Sequence, residues 1–421
     1  MKKFKNVKKK LGILFSLSLI LGCESAPKPL QGEKISIFNK DKKETVESKK
    51  IILERPYINK SWTSNGGNNE NNIGHIAGKK SFNKLYSNDI GSSSSKRQIL
   101  YTPVANEKMV FTISGNLRLT ATDINTGKTV WYQKFSNNDL ITFGAIALNG
   151  NDLYLVTNNS QLVKLNATTG EIIYSKYFNT TLKSGLIFCS DKLFFVNDNN
   201  EAFAIDSKTG KKIYVHKTIE ENSSFIKGST PACKDDKLVV TFSNGEVHMI
   251  MADTSTPIWL DSAYKINPSN INTISDIIAN PVINGNIVIA KSYNDITKAF
   301  DLTDGKTLWF TSNGGKTTPV ISNEIMFDIN NNKVLFASNL LTGNKIWEVK
   351  LDINKKDIFF DPLLVNNQIL IPVSNGDIIK VNPYNGKIIE TENLTSQIDV
   401  SPIVINDKLI IISNGDLEVF N

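Results

Sequence analysis

A stretch ending in a nearly fixed signature recurs along this 421-residue chain, and it constrains the fold more than any other feature. Residues 121–131 read ATDINTGKTVW, 299–309 read AFDLTDGKTLW and 337–347 read ASNLLTGNKIW. Weaker copies are KLNATTGEIIY at 164–174, AIDSKTGKKIY at 204–214, KVNPYNGKIIE at 380–390 and MIMADTSTPIW at 249–259. Each copy opens with a turn and a short apolar strand, as in TPVANEKMVF (102–111), NPVINGNIVI (280–289) and SPIVINDKLI (401–410). A second turn, such as SNG at 243–245 or 374–376, leads into an alternating strand. The TGK turn follows, and then a last strand ending in Trp, Tyr or Glu. Asn, Asp and Gly set the turns, and β-branched and aromatic residues resume after them. The motif glycines lie 43, 40, 95, 38 and 43 residues apart, the long gap spanning the degenerate copy. Self-similarity at about 40 residues, with four short strands per unit and no long helical pattern, is the signature of a β-propeller.

Eight copies are countable. The expected fold is all-β, an eight-bladed β-propeller of four-stranded antiparallel blades, with seven blades as the alternative count. Of five tryptophans, Trp131, Trp259, Trp309 and Trp347 each end a repeat. Trp62 lies ahead of the first full repeat, while the eighth copy stops at Asn421 without a last strand. The economical expectation is that residues 58–64, around Trp62, supply this outer strand and close the ring. Closure would remove open edges that invite aggregation. All five tryptophans are expected to be structural, packing between blades.

The first 22 residues read as a secretion signal. Lys2, Lys3, Lys5, Lys8, Lys9 and Lys10 precede the apolar run LGILFSLSLIL at 11–21, which is too short to span a bilayer comfortably. The run ends Ile20-Leu21-Gly22-Cys23 and resembles a bacterial lipobox. That resemblance implies cleavage before Cys23 and acylation of the cysteine, and several acyl chains anchor stably where one is marginal. Glu24 in place of Asp favours the outer membrane, by resemblance to the sorting rule of enteric-type bacteria. The expected organisation is a signal peptide at 1–22, a lipidated flexible tether at 23–57 and the propeller at 58–421. Residues 63–76 and 91–96 read as Gly-, Asn- and Ser-rich loops. The formal charge is +7, but six lysines leave with the leader and no acid does, so the mature part is near +1. Net charge therefore gives no case for a nucleic-acid partner.

Catalytic motifs are missing from the sequence. His75, His216 and His248 share no metal-ligand spacing and are expected to be surface histidines. There is no G-x-S-x-G elbow and no phosphate-cradling loop. Asp123, Asp206 and Asp301 precede TGK turns, where the turn backbone accounts for their carboxylates. Cys189 and Cys233 fall at similar places in adjacent repeats. A disulfide is possible in an oxidising compartment, but two cysteines make no framework, and buried free thiols are the expectation.

Insertions are more informative. From repeat end to the next repeat's Pro, Trp309 to Pro319 is 10 residues, Glu390 to Pro402 is 12 and Trp347 to Pro362 is 15. Tyr214 to Pro231 is 17 and Trp259 to Pro281 is 22, so the longest connections flank the fourth blade. Equivalent connections emerge on one face of a propeller, which makes these two neighbours. They carry exposed-looking apolar residues beside charge: Phe225, Ile226 and Lys227 in one; Ile271, Ile274, Asp276 and Ile277 in the other. Loops on a rigid scaffold carry function, and apolar anchors with a polar rim suit a protein partner. Neutral loop drift is the alternative.

The D-x-x-T-G-K-x-x-W repeat resembles the quinoprotein-type propeller repeat. With eight copies and a lipobox, the chain resembles the BamB family of outer-membrane assembly lipoproteins over residues 58–421 and the leader. The resemblance implies a non-catalytic, lipid-anchored scaffold on the periplasmic face of the outer membrane, with no cofactor. Its implied partners are the BamA barrel insertase and its assembly complex, and unfolded outer-membrane proteins. In that family two loops flanking the fourth blade form the partner surface. One has a hydrophobic-basic pair before a Gly, matched by Ile226-Lys227-Gly228; the other has two acids separated by one residue, of which Asp276 matches the first and Ile278 departs from the second. Two alternatives remain: a quinone-dependent periplasmic dehydrogenase, and an envelope polysaccharide- or protein-binding propeller.

Overall fold

The computed structural model describes residues 49–91, 100–135, 144–159, 161–221, 224–264, 275–293 and 296–421. Among them there is no helix, and the strands form eight four-stranded antiparallel blades in a ring. Blade 1 comprises Val104–Ala105, Met109–Ile113, Arg118–Asp123 and Thr129–Lys134, from the axis outward. Blades 2 to 7 span residues 144–177, 187–217, 232–262, 282–311, 320–350 and 363–393. The first three strands of each blade are almost wholly buried, whereas the fourth alternates or lies exposed, as in Thr129–Lys134. The core is therefore a series of apolar seams between neighbouring blades.

The repeat signature has a direct packing meaning. Trp131 of blade 1 covers Gly170 of blade 2 so closely that a Cβ on the glycine would stand 2.5 Å from the indole. Trp259 covers Gly305, Trp309 covers Gly343 and Trp347 covers Gly386 in the same way. Each indole N–H donates across the seam: Trp131 to Ala167 O (2.9 Å), Trp259 to Leu302 O (3.2 Å), Trp309 to Leu340 O (2.7 Å) and Trp347 to Pro383 O (2.9 Å). Gly170 has φ +75°, a region that glycine enters without penalty. Burial of each ring contributes on the order of 2–3 kcal/mol to the seam. Asp123 and Asp206 accept from the backbone N–H of Thr126 (2.8 Å) and Thr209 (2.7 Å), which holds both carboxyls below the ordinary range.

Blade 8 corrects the expected closure. Its inner strands are Ile403–Ile405, Lys408–Ser413 and Asp416–Phe420, and its outer strand is Lys84–Asp89, not residues 58–64. Tyr86 takes the place of the repeat-ending aromatic. It stands over Gly127 of blade 1, and its hydroxyl donates to Ile124 O (2.6 Å). Trp62 instead lies at the axis, buried, exchanging two backbone hydrogen bonds of 2.8 Å with Ala105 of blade 1.

Residues 59–76 fill the hub of the ring along the C-terminal ends of the inner strands. Asn59 O accepts from Asn406 N of blade 8, Thr63 O from Leu148 N of blade 2, Asn69 O from Cys233 N of blade 4 and Glu70 O from Ile283 N of blade 5. Asn65 packs on Gly185 ahead of blade 3, and His75–Ile76 adds a parallel strand to Leu363–Val365 of blade 7. The buried Asn71 amide nitrogen reaches further in, within hydrogen-bond distance of Thr230 O (2.9 Å), Pro231 O (3.0 Å) and Pro281 O (3.0 Å), which share its two N–H groups. The loop expected at 63–76 is thus an internal plug.

Two expectations change with it. His75 is not a surface residue. It is buried, its Nδ1–H donates to Glu54 O (2.6 Å), and its Nε2 accepts from Asn367 N (2.9 Å). The tether expected to 57 ends earlier. Ile51 is buried among Val320, Ile325 and Leu364, and Glu54 N donates to Ser322 Oγ (3.0 Å).

The cysteines are also corrected. Cys189 and Cys233 form a disulfide, with their Cα atoms 5.7 Å apart. Inner strands of consecutive blades converge at the axis, so equivalent positions one repeat apart become neighbours, a proximity their separation of 44 residues conceals. Thiol titration of the unfolded, unreduced protein is expected to find neither cysteine free. Recovery of both would remove the bridge from the fold.

Candidate functional site

The connections between blades 3 and 4 and between blades 4 and 5 meet at the N-terminal ends of the inner strands, on the face opposite residues 59–61. Asp276 joins them. Its Oδ2 accepts from Phe225 N (2.8 Å), and its backbone carbonyl accepts from Tyr293 N (2.9 Å). Phe225 packs its ring on Tyr293, 4.7 Å between centroids.

The loops are neighbours, but the charges lie elsewhere than expected. Asp276 is fully buried, and its carboxylate is 3.1 Å from the equally buried Lys183 ammonium. Lys183 also donates to Ser243 Oγ, and burial lowers its pKa while Asp276 pulls it back up. Lys183 O accepts from Gly228 N (2.8 Å) and from the Tyr101 hydroxyl. A Cβ at Gly228 would stand 2.9 Å from Lys183 Cγ, which explains glycine here. Lys227 is partly exposed, yet its ammonium lies 5.6 Å from the centroid of the buried Tyr101 ring. Burial lowers its pKa, opposed by Asp361 across the hub. Ile277 is buried in the blade 4–5 seam rather than exposed. Ile271 and Ile274 lie outside the described residues, as does Cys23.

Apolar and acidic side chains both face solvent. Ile226 is 52% exposed and Ile219 is 74% exposed, with Glu220 and Glu221 exposed next to Ile219. Lys183, Tyr293 and Ile219 escaped the sequence reading. Lys183 lies 93 residues from Asp276, and no local pattern joins the two.

His248 is likewise buried, and His216 is partly buried against it. Ser255 Oγ, His216, His248 and Glu246 form a chain: His216 Nδ1 to Ser255 at 3.1 Å, His216 Nε2 to His248 Nδ1 at 2.9 Å, His248 Nε2 to Glu246 at 3.0 Å. Among the described residues no group of three or more His, Cys, Asp or Glu is placed to hold a metal ion. Burial and the neighbouring His248 push the His216 pKa down to about 4, and burial also lowers His248 and His75. The unfolded chain takes up these protons below about pH 6.5 while the fold resists, so stability falls as pH drops from 6.5 towards 4. The urea midpoint is expected to be lower at pH 5 than at pH 7, and His216→Gln should flatten the dependence. A midpoint that rises on acidification would contradict the assignment.

A family profile described as outer membrane protein assembly factor BamB matches residues 115–349, more than half of the chain. The chain belongs to that family. The outer membrane protein assembly factor BamB of Moranella endobia (strain PCIT) is 23% identical over 348 residues, covering 79% of this chain and 89% of the relative. That of Yersinia pestis is 22% identical over 339 residues, covering 78% and 86%. Among solved structures, BamB from Moraxella catarrhalis matches with a TM-score of 0.70 at 18% identity, over 81% of this chain and 100% of that one. A europium-containing methanol dehydrogenase matches with a TM-score of 0.70 at 11% identity, over 84% and 89%. At such identities these structural likenesses speak to the propeller alone.

The enclosed hub does not fit a redox cofactor of the kind the dehydrogenases suggest. Trp62, Asn65, Asn71 and Ile73 occupy it and leave about 40 Å³, against roughly 300 Å³ or more for a small-molecule site.

Proposed function

We propose that this chain is a non-catalytic scaffold of the outer-membrane β-barrel assembly machinery, binding the periplasmic part of a BamA-type insertase through the loops beside blade 4. The observation that carries the reading is the exposed Ile226, on a loop held by the Asp276 carboxylate that ties Phe225 to the next connection. Apolar side chains on a preorganised loop bind without a large ordering cost, and a membrane tether raises the local concentration of a weak partner. Asp276 and Lys227 then act by placing the loop. The contact itself belongs to Ile226 and its neighbours, with Phe225 and Gly228 fixing the path of the backbone. Acylation at Cys23 would hold the protein on the periplasmic face of the outer membrane, where unfolded outer-membrane proteins are the proposed clients. Family membership favours this role over a dehydrogenase, and so does the filled hub.

Co-purification from native membranes tests it. The wild type is expected to bring down a barrel insertase. Ile226→Ser should reduce recovery by about tenfold, equivalent to about 1.4 kcal/mol, with unchanged thermal unfolding. Cys23→Ser should move the protein to the soluble fraction. Normal capture by folded Ile226→Ser would move the contact elsewhere.

A further inference from the structure

The face opposite the partner loops carries a second concavity, of about 490 Å³, where the hub plug meets the turn of blade 2. Its wall includes Tyr57, Ser61, Asn69 and Glu70 from the N-terminal segment and Leu148 and Asn149 from blade 2. Two backbone bonds fix this wall: Leu148 N to Thr63 O (2.8 Å) and Cys233 N to Asn69 O (2.6 Å). The second is anchored by the Cys189–Cys233 disulfide.

Its polar groups differ from the rest of the plug. Asn59, Asn65, Asn68 and Asn71 spend their amides on holding the ring or the plug's own hairpin. The exposed side chains of Ser61, Asn69 and Asn149 make no hydrogen bond among the described residues. Glu70 is partly exposed, with the Lys234 ammonium at 3.9 Å and the Asp235 carboxylate also close enough to act on it. Tyr57 is 47% exposed, and its hydroxyl is committed to Ile73 O (2.9 Å), so the ring is held in place with one surface towards solvent. Amides and hydroxyls that both donate and accept, a single carboxylate and a fixed aromatic surface complement a ligand rich in hydroxyls with apolar C–H faces. The volume suits a few sugar rings.

We propose that this concavity binds a short oligosaccharide, with Asn69, Asn149, Ser61 and Glu70 hydrogen-bonding its hydroxyls and Tyr57 stacking on one ring. The site is independent of the partner loops and of any role in barrel assembly. The chain would hold a glycan on one face while the other remains free for protein.

Ligand-observed NMR titration of the purified full chain tests this, with chitotetraose and maltotetraose as probes. At least one is expected to bind with a Kd near 1 mM, as befits an open site. Asn149→Trp, an exposed position that fills the concavity, should weaken binding at least tenfold while thermal unfolding is unchanged. Ile226→Ser on the opposite face should leave it unaltered. Absence of binding by both sugars at about 10 mM overturns the proposal. So does binding that survives Asn149→Trp, which would place the sugar elsewhere. Loss of insertase capture by Ile226→Ser with intact sugar binding separates this site from the proposed assembly role.

Discussion

Asp276→Ala is expected to destabilise the propeller by about 3–5 kcal/mol and to abolish partner capture together with stability. The alanine would leave the Lys183 ammonium buried without its counter-charge and the Phe225 N–H without its acceptor. An exposed acid at a partner surface behaves differently: its removal changes stability by less than about 0.5 kcal/mol. Urea unfolding distinguishes the two outcomes. Pairing Asp276→Leu with Lys183→Met should restore most of the lost stability, because apolar groups replace a buried ion pair at little cost. Capture should stay weak in the double variant, since Phe225 still lacks its anchor. A double variant that is stable and captures normally would show that the clasp serves the fold alone.

Asn71→Ala is expected to cost about 2–5 kcal/mol, because the two N–H groups shared by the carbonyls of Thr230, Pro231 and Pro281 would be lost, at about 1–3 kcal/mol for each group left unsatisfied. No other side chain of the plug reaches so many blade carbonyls among the described residues. The loss should be local in its signature. Hydrogen exchange is expected to speed up at residues 62–76 and at the starts of the inner strands of blades 4 and 5, while the outer strands change little. Limited proteolysis should find a new cut in the same stretch. Uniform faster exchange in all eight blades would instead mean that the plug is a nucleus on which the ring depends.

The blades were legible because six of the eight repeats encode their own seam: a glycine with positive φ, and an aromatic one blade earlier to cover it. Position, not residue type, marks the closing strand: its aromatic is Tyr86, and the expected Trp62 belongs to the axis. Tyr86 is third in Lys84–Asp89, as Trp131 is third in Thr129–Lys134, and the register shifts just before both. The plug was not legible at all. Its partners are backbone groups at inner-strand ends, which leave no periodicity in a Gly- and Asn-rich sequence. The candidate site was half legible. Spacing located the two loops, but burial of Asp276 depends on a lysine in another connection, and a buried acid beside apolar residues reads like an exposed one.

The circuit of residues 59–76 also has a mechanical meaning. A pull applied from the N-terminal side first reaches Ile51, wedged in the seam of blades 6 and 7, and the Glu54–Ser322 bond. It then passes to a strand of backbone that touches the blades in turn, like a drawstring through the centre of a purse. Tension on such a path is shared around the rim and draws the blades towards the axis instead of peeling the outermost strand, Lys84–Asp89, from blade 8. A protein moored by its N-terminal end and loaded through loops on its far face would keep its ring shut under the forces that use places on it.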